Sequence, residues 1–251
     1  MKPSRIRGVV LALALFGAWS LHQAGRAGEK AGQPPVPATE LSNLIAQDVK
    51  VLQEALAKTP LDKKTTRKAK ATALMLAAYA ELTGSPGLHT EALAALKALD
   101  DNDVTKAQQL AAKLPVGKTA GPALKKVNLS KLVNTETLMR QMAGAKVGGF
   151  GYEKELEDLG DSKGDLSKEQ LSQVGRMADK TAIIALLAKG QVPDQDEDAK
   201  KTRKSWLTYS EMMEQSAAAL GRAARAGNQA EVRTALGRLN DSCAKCHEIW
   251  R

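Results

Sequence analysis

The two cysteines of the chain lie three residues apart in the segment CAKCHEIWR, residues 243–251. On a helix this spacing places Cys243 and Cys246 on one face, and His247, four residues after Cys243, projects from the same face. Thiolates and imidazole bind metals, and thiolates are also nucleophiles. The residues that can do chemistry are therefore concentrated in one short segment.

Three kinds of site use such a cysteine pair. A structural zinc site needs four ligands, but the other histidines are His22 and His89, and there is no second cysteine pair. A thioredoxin-type disulfide needs strands, which the sequence does not predict. Covalent haem c attachment needs two thiols for thioether bonds and an adjoining imidazole for the iron. We favour haem c held by Cys243 and Cys246, with His247 as an axial iron ligand, over the zinc and disulfide alternatives.

Apolar residues recur at helical spacing through most of the chain, and no segment has the alternation of a strand. Asp62 and Ser167 are predicted N-caps, and Gly227 is a predicted stop. The fold class is therefore predicted to be all-α. The predicted helices are at about 41–58, 62–82, 90–99, 103–114, 125–142, 167–189, 196–226 and 228–251.

The first 27 residues have the pattern of an export signal: basic residues, then an apolar stretch of about 13 residues, then small residues. A spanning helix needs about 20 residues, so an uncleaved anchor is the less favoured alternative. We expect an exported, periplasmic protein. The other predicted segments are a flexible lead at 28–38, a haemless helical bundle at 39–120, a connector with one helix and a Gly-rich loop at 121–165, and a haem domain at 166–251.

The charge balance argues against some partners. The chain has 37 Lys and Arg against 28 Asp and Glu, and its net charge of +9 falls to +5 if residues 1–27, with four basic residues and no acid, are removed. The dense basic run at 63–70 lacks the interleaved aromatic residues of a single-strand binder. We expect no nucleic-acid partner and no membrane association beyond the signal segment.

The two halves of the chain resemble each other weakly. KKTTRK at 63–68 corresponds to KKTRK at 200–204, and DVTKAQQLAAKL at 103–114 resembles NQAEVRTALGRL at 228–239. A diverged duplication explains these matches, while two unrelated bundles of similar composition are the alternative. The second copy alone continues into the CAKCH motif.

A c-type motif in the last helix, followed by an aromatic and a basic residue, resembles the class II c-type cytochromes, the cytochrome c prime group. The matching residues are Cys243, Cys246, His247, Trp250 and Arg251. The resemblance implies an antiparallel four-helix bundle around one covalent haem c and its iron. It covers 166–251, and 39–114 matches only as a haemless relative, so two tandem helical bundles are predicted.

The same resemblance suggests other haem contacts. Six-coordinate members use a methionine early in the first helix, which makes Met177 the candidate sixth ligand, although Met212 and Met213 are rivals and such a residue is usually core. The candidate pocket residues have ordinary core or surface roles as their alternatives. They are Arg176, Trp206, Tyr209, Met213, Trp250 and Arg251.

The function expected from these residues is single-electron transfer by an exported cytochrome, with a redox partner protein and without catalytic residues, so the chain is not expected to be an enzyme. Class II bundles commonly associate through their helices, and a homodimer is a further expectation. The alternative function is a five-coordinate haem that binds nitric oxide or carbon monoxide for sensing or detoxification.

Overall fold

The computed structural model describes residues 35–58, 60–115, 142, 144, 146, 149–162, 164–192 and 201–250. These ranges contain eight helices and no strand, which confirms the all-α prediction. They lie in one compact unit, Pro34–Arg251. The helices are α1 Ala38–Leu56, α2 Lys63–Thr83, α3 Pro86–Asp100, α4 Val104–Lys113, α5 Tyr152–Asp161, α6 Lys168–Gly190, α7 Arg203–Ala226 and α8 Gln229–Trp250.

Local sequence signals set several helix ends. The Asp62 carboxylate accepts a hydrogen bond of 2.6 Å from a backbone N–H in the first turn of α2. Ser167 and Gln170 form a reciprocal capping box at the start of α6, with N–O distances of 3.2 and 2.8 Å. Gly227 ends α7 in the left-handed conformation, with φ of 69°. These three predicted caps are confirmed.

Helices α1 to α4 pack in a ring in which each contacts the next and α4 returns to α1. Gln53 Nε2 on α1 donates to the Ala111 carbonyl of α4 at 2.9 Å, and Gln108 Nε2 on α4 donates to the Leu56 carbonyl at 2.6 Å. The ring encloses leucines of α1 and the alanine-rich face of α2. Residues 71–80 of α2 are all buried, so this helix is covered on every side, and its small alanines allow the neighbouring helices to approach closely.

Helices α5 to α8 form a second ring, in which α6 packs on α7, α7 on α8, and the short α5 on both α8 and α6. A Cβ on Gly160 of α5 would lie 3.0 Å from Asn240 Nδ2 of α8, so glycine permits the close approach of these two helices. The four-helix-bundle prediction is thus confirmed. The division into tandem domains and the duplication stay predictions.

A buried polar cluster joins the two rings. Lys180 Nζ on α6 lies 2.6 Å from Asp48 Oδ1 on α1, and the Tyr79 hydroxyl of α2 donates to Asp48 Oδ2 at 3.0 Å. The ammonium also lies 4.9 Å from the centre of the Phe150 ring. Since Asp48 is 1 % exposed and Lys180 8 %, the two charges depend on each other.

The structure differs from the sequence predictions at several points. Helix α5 lies in the segment that is predicted to be a connector. The sequence does not predict this helix, because its ten residues contain few apolar positions and its stability comes from tertiary packing. Helix α3 begins at Pro86, four residues before the predicted start at residue 90, since proline is favoured in a first turn. Val36, in the predicted flexible lead, is fully buried. The predicted signal segment and residues 125–141 of the helix predicted at 125–142 lie outside the described residues.

Among the described helices, none combines the length and the apolar character that crossing a membrane requires.

Candidate functional site

The CAKCH motif lies in the last turns of α8, as the sequence predicted. Cys243 and His247, four residues apart, line a pocket between α8 and α5. Cys246 is turned towards the core and packs against it together with Trp250, four residues further on. The two thiols and the imidazole therefore lie on one continuous face, because these positions cover about 100° of the helix circumference.

The pocket has a volume of about 480 Å³, within the range of about 300 to about 1,000 Å³ that is usual for ligand sites. Its walls combine apolar side chains with three glutamates at the rim. Helix α5 supplies one wall through Leu156, which is 1 % exposed and anchors that helix. The lining residues are Met142, Glu153, Leu156, Glu157, Asn240, Cys243, Ala244, His247 and Glu248.

Both cysteines are free thiols. Burial raises the pKa of Cys243 to about 11, with a further contribution from the Glu153 carboxylate, while the Ser242 hydroxyl opposes the rise. Burial likewise raises the pKa of Cys246 to about 11. Few thiolates exist at neutral pH under these conditions, and thiolates are the reactive form. The environment does not favour the redox-active thiol that the disulfide alternative requires.

The imidazole of His247 has a carboxylate partner on α5: its Nδ1 atom lies 3.3 Å from Glu153 Oε1. The His247 side chain is 31 % exposed and that of Glu153 40 %. The contact directs the Nδ1 side of the ring to α5, and with Nδ1 facing a carboxylate, Nε2 is the nitrogen that would bind a metal. Sequence reasoning missed Glu153, because the only signal for it is a short acidic helix about 90 residues before the histidine.

The two predicted pocket tryptophans contact each other. The rings of Trp206 on α7 and Trp250 on α8 meet edge to face, with centroids 5.3 Å apart. Trp206 Nε1 donates to the Ala188 carbonyl at 2.7 Å, so its polar atom is satisfied. Trp250 Nε1 is buried and has no hydrogen-bond partner.

The methionines are arranged differently from the sequence expectation. Met177 is 3 % exposed in the core of α6, and Met213 is 8 % exposed on α7. The methionine that lines the pocket beside Cys243 and His247 is Met142, which the sequence analysis did not single out. Sequence reasoning missed Met142 because it lies outside the segment that carries the family resemblance. The role of Met177 as sixth ligand stays a prediction.

The remaining predicted pocket residues lie apart from this pocket or outside the described ranges. Arg176 donates to Ser172 Oγ at 2.7 Å and lines a separate cleft between α1 and α6. Tyr209 is half-buried on α7. Arg251 lies outside the described residues. Their contacts with a haem stay predictions.

The residues present fit a covalently held haem. Two free thiols and an imidazole share one face of α8, Cys243 and His247 line a cavity of mixed apolar and acidic walls, and the buried Trp250 N–H lacks a hydrogen-bond partner. A zinc ion would need further ligands. Within the described ranges, no group of three or more His, Cys, Asp and Glu side chains is arranged to hold a metal ion by itself.

The fold and site therefore define an all-helical protein with a c-type attachment motif on its last helix. Residues 188–251 match the family model described as Cytochrome C′. The match covers α7 and α8 with the motif, and it confirms the resemblance to the cytochrome c prime group for this part of the chain. No curated protein and no solved structure gives a significant match to the chain.

Proposed function

We propose that this protein is an exported c-type cytochrome that carries one haem c and transfers single electrons. The observation that supports this most strongly is the position of Cys243, Cys246 and His247 on one face of α8, where Cys243 and His247 line a cavity of about 480 Å³. The match of residues 188–251 to Cytochrome C′ supports the same cofactor. The proposed site has no catalytic residue, because outer-sphere electron transfer makes and breaks no bonds in the protein.

Each residue has a distinct part in this proposal. Cys243 and Cys246 would hold the haem by thioether bonds, and His247 would bind its iron through Nε2. When bound, the haem supplies an iron that alternates between the ferric and ferrous states. The buried Leu156 would supply an apolar wall beside the haem. Trp250, whose buried indole N–H has no hydrogen-bond partner, is a further candidate for a haem contact.

Covalent attachment is tested on protein secreted with the c-type maturation machinery. The pyridine haemochrome spectrum is expected to show one haem c per chain, and the intact mass is expected to contain one haem. Replacing Cys243 and Cys246 with alanine should remove both signals. A chain that leaves the maturation machinery with free thiols would contradict the proposal.

Electron transfer is tested by voltammetry and by rates with small redox complexes. Three glutamates, Glu153, Glu157 and Glu248, line the pocket, so the local surface is acidic although the chain as a whole is basic. We expect a reversible one-electron wave, and faster exchange with a cationic complex than with an anionic one of similar driving force. The advantage of the cationic complex should shrink as salt is added. The natural redox partner is expected to present a basic surface.

The alternative function, capture of nitric oxide or carbon monoxide by a five-coordinate haem, is favoured by one observation. Met177, the predicted sixth ligand, does not line the pocket of Cys243 and His247. Carbon monoxide distinguishes the two functions in the reduced protein. Low-spin bands that the gas does not change support electron transfer, and a high-spin spectrum that the gas shifts supports gas binding.

The location and assembly of the protein belong to the same proposal. Export follows from the signal-like residues 1–27, and N-terminal sequencing of secreted protein is expected to begin near residue 28. A homodimer is expected to form through helix faces, which light scattering of the haem-loaded protein will test. A monomeric mass at micromolar concentration would contradict it.

A further inference from the structure

We propose that Glu153 is a positioning residue for the axial histidine and lowers the reduction potential of the haem iron. This inference rests on the proposed function, since it concerns the haem that Cys243, Cys246 and His247 would hold. It adds a role for a residue that lies outside the CAKCH motif and outside the segment matched by the family model, residues 188–251.

The geometry joins Glu153 to the nitrogen of His247 that faces away from the metal. Glu153 Oε1 lies 3.3 Å from His247 Nδ1, and both side chains line the same pocket. An Nδ1–H that donates to a carboxylate fixes the ring orientation and the tautomer, so Nε2 is left with its lone pair for iron. A histidine at the end of a free helix would lack this restraint.

Helix α5 holds the carboxylate in place. Gly151, with φ of 81°, starts the helix in a left-handed conformation that favours glycine, so the first turn begins directly at the pocket. Tyr152 stacks on Phe150 with ring centroids 5.2 Å apart, and Leu156 is buried one turn after Glu153. Asn240 Nδ2 of α8 contacts the Leu156 carbonyl at 3.5 Å. Glu153 therefore projects from a fixed turn, since packed residues lie on both sides of it.

A carboxylate on Nδ1 strengthens electron donation from the imidazole to iron. The effect is larger for ferric iron, which carries the higher charge, so the carboxylate stabilises the oxidised state and lowers the potential. The negative charge of the carboxylate by itself also lowers the potential, but this effect depends only on the distance between the charge and the iron. The hydrogen-bond contribution must therefore be separated from the loss of one negative charge.

Glu157 provides the matched control. It lies one turn further along α5, lines the same pocket and is exposed. Glu153→Gln and Glu157→Gln each remove one negative charge from the pocket rim, but only the first changes the contact with His247. The reduction potentials of both haem-loaded variants are measured beside the unmodified protein. Resonance Raman spectra of the ferrous proteins give the iron–histidine stretching frequency where the iron is five-coordinate.

We expect Glu153→Gln to raise the potential more than Glu157→Gln does, and to lower the iron–histidine frequency where that band is observed. Equal shifts in the two variants would overturn the inference, as would a larger shift in Glu157→Gln. Because a charge effect also depends on distance, Glu153→Asp and Glu157→Asp are measured as well. Each keeps the charge and shortens the side chain, and the pair replaces the glutamine variants if Glu153→Gln loses haem or melts early. A raised potential in Glu153→Asp, with none in Glu157→Asp, supports the inference, and its absence overturns it.

The outcomes separate this inference from the proposed function. An unmodified protein without covalent haem would overturn both. A haem-containing protein with a reversible wave, in which Glu153→Gln and Glu157→Gln shift the potential equally, would leave the proposed function intact and overturn the role of Glu153 alone.

Discussion

The buried ion pair between Asp48 and Lys180 gives a quantitative prediction about how the two helical rings hold together. The side chains are 2 % and 10 % exposed, so either charge left alone would remain out of water. Removing one member of a buried pair costs about 3–5 kcal/mol, because the partner keeps its charge without compensation. For a chain of this size we expect Lys180→Met to lower the melting temperature by roughly 6–20 °C.

A double-mutant cycle separates the interaction energy of the ion pair from the cost of each single substitution. Asp48→Asn retains an oxygen that accepts from the Tyr79 hydroxyl, which lies 3.0 Å from the carboxylate. Lys180→Met retains the approximate volume of the lysine stem. Each single variant should lose about 3–5 kcal/mol of unfolding free energy, while the double variant should lose at least ~2 kcal/mol less than the sum, since neither charge remains.

The assay is urea unfolding of the haem-loaded protein, followed by far-UV circular dichroism. Lys97→Met is the control, because Lys97 and Asp101 form an i,i+4 pair whose side chains are 77 % and 57 % exposed. That change should cost less than about 0.5 kcal/mol. A Lys180→Met loss below ~1 kcal/mol, or strictly additive single losses, would refute the conclusion that this pair is buried and mutually dependent.

Other predictions concern a second ion pair, the thiols and the core methionine. Burial raises the pKa of Asp179, and Arg225 Nη1, which lies 2.7 Å from its carboxylate, opposes that rise. In Arg225→Met the folded state should retain the Asp179 proton to higher pH than the unfolded state. The unfolding free energy should therefore fall more steeply than in the unmodified protein as the pH rises from about 4 to about 7. Urea unfolding of both proteins at a series of pH values tests this, and an equal or opposite slope would contradict it. Since the thiol pKa values are raised to about 11, iodoacetamide at about pH 8 should modify Cys243 and Cys246 of haem-free protein at least ~10-fold more slowly than in the urea-unfolded chain, and comparable rates would contradict their burial. Met177→Ala should cost about 2–5 kcal/mol of stability because Met177 is 3 % exposed, and unchanged stability would conflict with its core position. The low-spin optical bands of Met177→Ala and of Met142→Ala will show which methionine, if either, binds the iron.

Local signals account for the parts of the fold that were predicted well. The Ser167 capping box and the Asp62 cap depend on residues within four positions of each other, and Gly227 needs only its own conformational freedom. Helix α5 was missed because a ten-residue helix with one buried residue has almost no periodic signal of its own. Its stability comes from contacts with α8 and α6.

By itself, the sequence determined the all-helical class, the principal caps and the chemistry of the CAKCH segment, because helix spacing alone puts Cys243 and Cys246 on one face. Only the tertiary structure decided that Glu153 meets His247 and that Asp48 meets Lys180, 132 positions away in the chain. Such pairings depend on which helix faces pack together. Burial and distance in the folded chain then determine what each charged side chain does.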